Sequence, residues 1–422
     1  MTRVLLLSTT TGYQIRSFGE AAGALGVRLV IGSDRCDRLE DPWWDGAIPM
    51  RFHDTDASVD AVTTAWQGPP PSGVIAVGDR PTVLAARLAA AFGLPGNPVD
   101  AAEASRDKQA SRRAFAAAGL LTPPWQVFPT TQDPSAVRAI EYPAVIKPLA
   151  LSGSRGVIRV DGEDALVAAF HRIRHLLRAP DVAIQRDGLH DFVLVESYVP
   201  GREYAIEGVL SGGTLTVFAI FDKPDPLDGP FFEETIYVTP SRAATGVQRA
   251  MIDAVAAAAR ALGLTHGPVH AECRVNERGV YVLEVAARPI GGLCSRAVRL
   301  EGPGRIAMTL EDVLLRHAIG EGIDQCRPAA RASGVMMIPI PRRGVFRGVT
   351  GVDRARDVPG VEDVRITAKP DALLVPLPEG RSYLGFIFVS AETPARVEEA
   401  LREAHAQLNF VIERELMLVD EK

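Results

Sequence analysis

VHAECRVNERGVYVLEVAARPIGG (269–292) is the stretch from which the rest of the chain is read. Two β-branched runs, VHAECRV (269–275) and GVYVLEVAAR (279–288), flank the turn residues Asn276-Glu277-Arg278-Gly279 and predict an antiparallel pair. Period-two alternation then places Glu272 and Glu284 on neighbouring strands, facing one partly buried space. Two buried carboxylates repel, and the arrangement is costly unless a cation lies between them. Hard oxygen ligands beside phosphates favour Mg²⁺. Arg288 stands four residues after Glu284, and its fork of donors suits a phosphate or a tetrahedral oxyanion. On this segment alone, two glutamates in surface hairpin positions remain the alternative.

Two upstream segments carry related chemistry. In IKPLALSGSRGV (146–157), Lys147 ends a strand and a Gly/Ser loop follows, so one cation and several backbone N–H groups can surround phosphate oxygens. No G-K-[ST] closes this loop, so it is not a Walker A motif; a hairpin with an incidental lysine is the bland alternative. VESYVPGREY (195–204) is a strand whose alternate backbone N–H and C=O groups suit an adenine edge. Glu203, seven positions after Glu196, could accept hydrogen bonds from both ribose hydroxyls. On this segment alone, an ordinary strand end with a Pro-Gly turn and an ion-paired glutamate is the stronger reading.

Around these segments the organisation changes twice. VLLLS (4–8), VRLVIGSD (27–34) and GVIAVGD (73–79) read as strands separated by the helices 9–26 and 81–93, which implies a parallel sheet with crossover helices. LPGNP (94–98) is turn chemistry at the exit, and SRDKQASRRAFAAAG (105–119) reads as one helix carrying Lys108. Short β-branched strands then occupy 120–222, interrupted by the helix 165–178, and an Ala-rich helix covers about 245–262. Beyond 325 the chain becomes turn-rich and β-like, closing with the charged helix PARVEEALREAHAQL (394–408), which reads as a separate α+β domain.

Composition narrows the function. At 422 residues the chain should hold two to four subdomains of ~100–200 residues. The 46 Lys plus Arg against 52 Asp plus Glu give −6, which argues against a nucleic-acid partner. Cys36, Cys273, Cys294 and Cys326 are scattered without a C-x-x-C pair, so the chain is neither a disulfide scaffold nor a zinc ribbon. VLLLS is too short for a signal-peptide core, and Arg260 interrupts the longest apolar run, 254–264. The expectation is a cytoplasmic protein with no membrane partner.

The order of these elements resembles the ATP-grasp superfamily of carboxylate–amine ligases, which includes biotin carboxylase, D-alanine–D-alanine ligase and the L-amino acid ligases. The elements are Lys108 on a helix, Lys147 before a glycine loop, Glu203 after an adenine strand, then Glu272, Glu284 and Arg288. The resemblance implies a mixed α/β and α+β architecture: an N-terminal Rossmann-like (pre-ATP-grasp) domain over 1–100, an ATP-grasp domain over 101–325 with a lid about 122–202, and a C-terminal domain over 326–422. It also implies ATP-phosphate lysines at Lys108 and Lys147, a phosphate lid at Ser152, Gly153, Ser154 and Gly156, adenine contacts at Glu196 and Val199, and a ribose ligand at Glu203. Glu272 and Glu284 match the Mg²⁺ carboxylates, with Mn²⁺ as the alternative ion, and Arg288 the arginine that steadies the acyl-phosphate.

Family members commonly read E-x-N-x-R where this chain reads Glu284-Val285-Ala286-Ala287-Arg288, and the missing asparagine leaves the number of ions open. The E-V-A-A-R form is similar to the L-amino acid ligase branch. FFEETIYVTP (231–240) resembles that branch's substrate segment, with Glu234 at the substrate amino group and Tyr237 where a histidine is usual. Gly291 and Gly292 border the first substrate's side chain in that branch. The resemblance therefore implies an ATP-dependent ligase joining a carboxylate to an amine, both amino acids in the leading reading, through an acyl-phosphate. The alternatives are a biotin-carboxylase-like enzyme, a ligase of a non-amino-acid carboxylate and a catalytically silent nucleotide-binding regulator. A homodimer is an open option.

Smaller signals read as packing. Trp43-Trp44 suits a loop anchor, and Asp222, Asp225 and Asp228 a solvated loop over the substrate. Cys273 and Cys294 read as small buried hydrophobes, and His266 and His270 as core or structural residues.

Overall fold

A computed structural model describes residues 2–9, 14–34 and 47–414. Cys36 and the Trp43-Trp44 anchor lie outside them.

The strand Arg3–Ser8 is apolar on both faces, as a parallel strand covered by helices requires. It sits between Arg28–Ser33 and Gly73–Val77, with Ile48–Pro49 at the edge, in a parallel four-stranded sheet. The helix Ile15–Leu25 stops where Gly26 adopts a left-handed conformation. Asp79 follows Gly73–Val77 at the carboxyl end of the sheet, the side on which open α/β sheets bind ligands.

The helix expected over 105–119 is two helices, Val99–Arg106 and Lys108–Ala117. Asp107 breaks them: its backbone is extended, and its carboxylate accepts the N–H of Gln109 at 2.8 Å. The break puts Lys108 in a first turn.

Residues 125–197 form a four-stranded antiparallel sheet in the order Trp125–Pro129, Phe192–Ser197, Ala144–Pro148, Ile158–Val160. The helix Glu163–Leu177 covers it with Leu166, Phe170, Ile173 and Leu177, a stripe at helical spacing over its own core.

The largest sheet has eight strands in the order Gly279–Ala286, Gly267–Asn276, Arg202–Ser211, Thr214–Asp222, Ile236–Thr239, Ala332–Ile338, Gly385–Ala391, Val361–Ile366. One sheet continues into the C-terminal segment. Ile236–Thr239 pairs with Ala332–Ile338, so one sheet runs straight through residue 326. Ile236 and Val238 also share a core with Val397 and Leu401 of the helix Pro394–Ala406. Leaving either part alone would expose an apolar sheet edge. Among the described residues, no helix is long and apolar enough to cross a membrane.

The lid sheet joins the large one through residues 198–201. Gly201 has φ +124°, and a Cβ there would lie 2.2 Å from Val275 O. Both the backbone conformation and the close approach exclude a side chain. Gly201→Ala should therefore destabilise the protein by about 2–4 kcal/mol. A urea midpoint equal to the parent's would refute this.

Candidate active site

A cavity of about 1180 Å³ opens between the lid sheet, the large sheet and the loop carrying Asp79. Lys108, Lys147, Ser152, Gly153, Ser154, Glu196, Val199 and Glu203 line one part of it, and Glu234, Tyr237, Glu272, Glu284, Arg288, Gly291 and Gly292 the other. Gly156 does not line it. Its backbone is left-handed, a Cβ would meet Pro148 at 2.9 Å, and its N–H donates to Pro378 O, so it shapes the loop from behind.

The lid end is organised by a buried charge triad. Arg112 has no exposed surface, and donates Nε to Glu196 Oε2 at 2.8 Å, Nη2 to Oε1 at 3.3 Å and Nη1 to Leu283 O at 2.9 Å. Lys147 donates to the same carboxylate from the other side. Burial alone would raise the Glu196 pKa, but the two cations outweigh it and hold the group down at about 2. Burial pushes the Lys147 ammonium below its usual value, with Glu196 opposing. The Glu196 side chain is thus committed to Arg112 and Lys147. Lys108 donates to Leu151 O at 3.0 Å and stands 3.9 Å from Glu284.

The large-sheet end is organised by Lys223, which the sequence reading passed over. Nζ lies 2.8 Å from Glu203 and 3.1 Å from Glu272, and also donates to Glu234. Arg274 takes the other oxygen of Glu203 at 2.8 Å. Burial would depress the Lys223 pKa, but three carboxylates hold it well above the usual value. Glu234 and Glu272 titrate as a pair: burial and the neighbouring carboxylate raise Glu234, whereas Lys223 and His270 override burial and keep Glu272 low. A lysine directly after the run TLTVFAIFD was the available signal, since such a position ends a strand at the sheet's active edge. Beside it, Asp222 is a buried anchor, not part of a solvated loop. It accepts Ser241 Oγ at 2.5 Å and the Arg242 N–H at 2.9 Å.

Glu272 and Glu284 stand directly opposite one another across the hairpin, as alternation predicts. They part at the side chains: Glu284 turns to Lys108, and the oxygens that lie within 4.8 Å of one another belong to Glu203, Glu234 and Glu272. This all-oxygen set has the donor chemistry of a hard divalent cation, although the Lys223 ammonium stands on all three carboxylates.

Arg288 is forked onto Asp79, Nε–Oδ1 2.8 Å and Nη2–Oδ2 3.3 Å, which bolts the N-terminal sheet to the site. Burial would raise the Asp79 pKa, and Arg288 overcomes it. His270 is buried and also lines the cavity. It bonds Glu207 at 3.1 Å, and Glu207 and Glu272 outweigh burial to push its pKa up to about 9. Glu207 accepts the Ile290 N–H at 3.1 Å, while Gln14 donates to Ile290 O. The segment 288–292 is therefore held from two sides. Within it Gly292 is a backbone requirement, with φ +63° and a Cβ that would lie 3.4 Å from Phe386. Gly291 has open space where its Cβ would be. Cys273 and Cys294 are buried, and burial pushes both thiols up. His266 packs on His317 with ring centroids 4.3 Å apart.

Because the Glu196 carboxyl is depressed from 4.5 to about 2, its stabilisation is complete above pH 4.5 and is lost as pH falls toward 2. Glu196→Gln would leave Arg112 and Lys147 unopposed, and should cost about 3–5 kcal/mol at pH 7. The difference from the parent should shrink between pH 4.5 and 2. Urea titrations across that range check it, and a pH-independent difference would refute the assignment.

Comparison with known proteins agrees with the geometry. Residues 140–297 match the ATP-grasp domain family, and residues 336–413 match L-amino acid ligase C-terminal domain 2. The chain is 30% identical to D-alanine–D-alanine ligase of Gloeobacter violaceus over 239 residues, 53% of this chain and 72% of that enzyme. It is 29% identical over 214 residues to alanine–anticapsin ligase of Bacillus subtilis, 47% of this chain; the match spans only 44% of that enzyme's length. The crystal structure of L-amino acid ligase from Bacillus licheniformis superposes with a TM-score of 0.79 at 26% identity, covering 98% of this chain and 99% of that one. The chain belongs to the ATP-grasp carboxylate–amine ligases, in the branch of the L-amino acid ligases.

Proposed function

We propose that the protein joins a carboxylate to an amine at the expense of ATP, forming an amide, a dipeptide when both substrates are amino acids, with ADP and phosphate. The observation that carries this reading is the convergence of Lys147, the Lys223 carboxylate cluster and Arg288 on one cavity.

In this reading the adenine lies along residues 196–199, the ribose hydroxyls donate to Glu203, and the phosphates lie under Lys108, Lys147 and residues 152–156. Glu272 and Glu284 would hold Mg²⁺, or Mn²⁺ in its place, which would supply charge neutralisation at the phosphates. The substrate carboxylate attacks the γ-phosphorus, the bond to the ADP oxygen breaks, and an acyl-phosphate and ADP result. The amine then attacks the acyl carbon, the tetrahedral centre collapses, and phosphate leaves with the new C–N bond in place. Arg288, held in plane by Asp79, faces the oxyanion of that centre. Glu234 accepts a hydrogen bond from the first substrate's ammonium group, beside Tyr237. The protein contributes positioning and charge, and the glycine-rich loop excludes the water that would hydrolyse the intermediate.

Two measurements test the reading. ADP and phosphate release should depend on both a carboxylate and an amine, and hydroxylamine should trap the intermediate as a hydroxamate. AMP and pyrophosphate would show adenylate chemistry and discard the reading, and a panel of amino and non-amino carboxylates names the acid.

The open space at Gly291 leads to a further test. Gly291→Trp would fill volume beside the first substrate, and overpacking costs ~1–3 kcal/mol, roughly 5–150-fold in affinity. Preference should move toward small acids with ATP affinity preserved. Unchanged ratios of specificity constants would remove Gly291 from the substrate wall.

A further inference from the structure

The glycine-rich loop does not stand alone over the cavity. Gly156 donates its N–H to Pro378 O at 2.8 Å, and Arg155 donates Nε to Glu379 O at 2.9 Å. Arg155 also forks onto Asp181 at 2.7 and 3.2 Å, and Arg381 reaches the same carboxylate at 3.6 Å. Arg172, on the lid helix Glu163–Leu177, forks onto the Glu379 carboxylate, with Nη2–Oε2 at 2.9 Å. The lid is thus tied at several points to residues 377–383, about 180 positions further along the chain than the loop's Gly201 exit and outside the lid altogether.

That run is held in shape and is anchored. Gly380 donates its N–H to Pro376 O at 2.8 Å, and a Cβ at Gly380 would lie 1.9 Å from Val375 O. Leu384 donates its N–H to Ile338 O at 2.9 Å and leads into the strand Gly385–Ala391 of the large sheet. The same run lines the cavity through Leu377, Ser382 and Tyr383, and Phe386 follows beside Gly292. One short piece of backbone therefore touches the phosphate loop on one side and the substrate wall on the other.

We propose that residues 377–383 are a strap that couples closure of the phosphate loop to occupancy of the substrate wall, with Glu379 and Arg172 as its positioning residues. The proposal rests on the ligase reading and adds a reason for the C-terminal segment to share the site. A substrate packed on Tyr383 and Phe386 stiffens the strap, and the stiffened strap holds the loop shut. With the strap released, water reaches the acyl-phosphate: it adds to the acyl carbon, the C–O bond to phosphate breaks, and free acid and phosphate leave. One ATP is then spent without an amide.

Charge reversal in the full chain tests it, since Arg172 and Glu379 are 45% and 33% exposed and tolerate exchange. Glu379→Arg and Arg172→Glu, singly, should raise amide hydrogen exchange at residues 152–157 of the substrate-free protein about threefold, the scale of one exposed fork. With saturating acid and amine, each should also raise the ADP formed per amide by about twofold or more on the same scale. The double reversal should restore both, and Glu379→Gln should move both in the same direction as the single reversals. Unchanged exchange in the single variants, or no restoration in the double, overturns the strap. Raised exchange with an unchanged ADP-to-amide ratio overturns its coupling to chemistry. A parent protein that forms no amide with any acid–amine pair sinks the ligase reading, while the exchange measurement still decides the strap.

Discussion

Arg112 is a guanidinium with no exposed surface, and the lid end of the molecule is arranged around the need to answer its charge. A cation taken out of water costs several kcal/mol unless it is paired and hydrogen-bonded. Three elements supply the partners: the helix Lys108–Ala117 carries it, the strand Phe192–Ser197 supplies Glu196, and the strand Gly279–Ala286 supplies the Leu283 carbonyl. Helix, lid and large sheet are thereby fixed at one point. Lys147, answering the remaining side of Glu196, is placed at the cavity wall by the same requirement.

The second end follows the same logic with the signs reversed. Glu203, Glu234 and Glu272 would repel one another across a partly dry cavity, and Lys223 makes the cluster tolerable. Each end is therefore paired but keeps a residual charge of opposite sign: two cations flank Glu196 at one, and three carboxylates gather on Lys223, with Arg274 on one of them, at the other. In the proposed reaction, a polyanionic nucleotide would meet the positive end and a divalent ion the negative one. The Arg288–Asp79 fork extends the balance to the N-terminal sheet, which thereby becomes part of the site's wall.

Much of the fold was legible before any coordinates. The apolar run 4–8, the alternation around 269–286 and the Ala-rich helix over 245–262 matched their elements because each depends on neighbours in sequence. The break at Asp107 was missed because capping competes with a pattern that is otherwise continuously helical. The unity of the large sheet was missed for a different reason. The pairing of Ile236–Thr239 with Ala332–Ile338 bridges about a hundred residues, and nothing local in either strand names its partner.

The sequence by itself placed Lys108 on a helix and Lys147, Glu203, Glu272, Glu284 and Arg288 in or beside strand-like runs, in an order that resembles the ATP-grasp ligases, and charged groups in apolar runs call for a reason. Tertiary structure decided their company. That Glu196 belongs to Arg112, that Lys223 gathers three carboxylates, that Arg288 leans on Asp79 and that Glu379 reaches the lid are all contacts between segments far apart along the chain. Local preference acts over a few residues through backbone sterics and side-chain spacing, whereas a buried charge is satisfied by whatever the folded chain brings within about 3 Å of it.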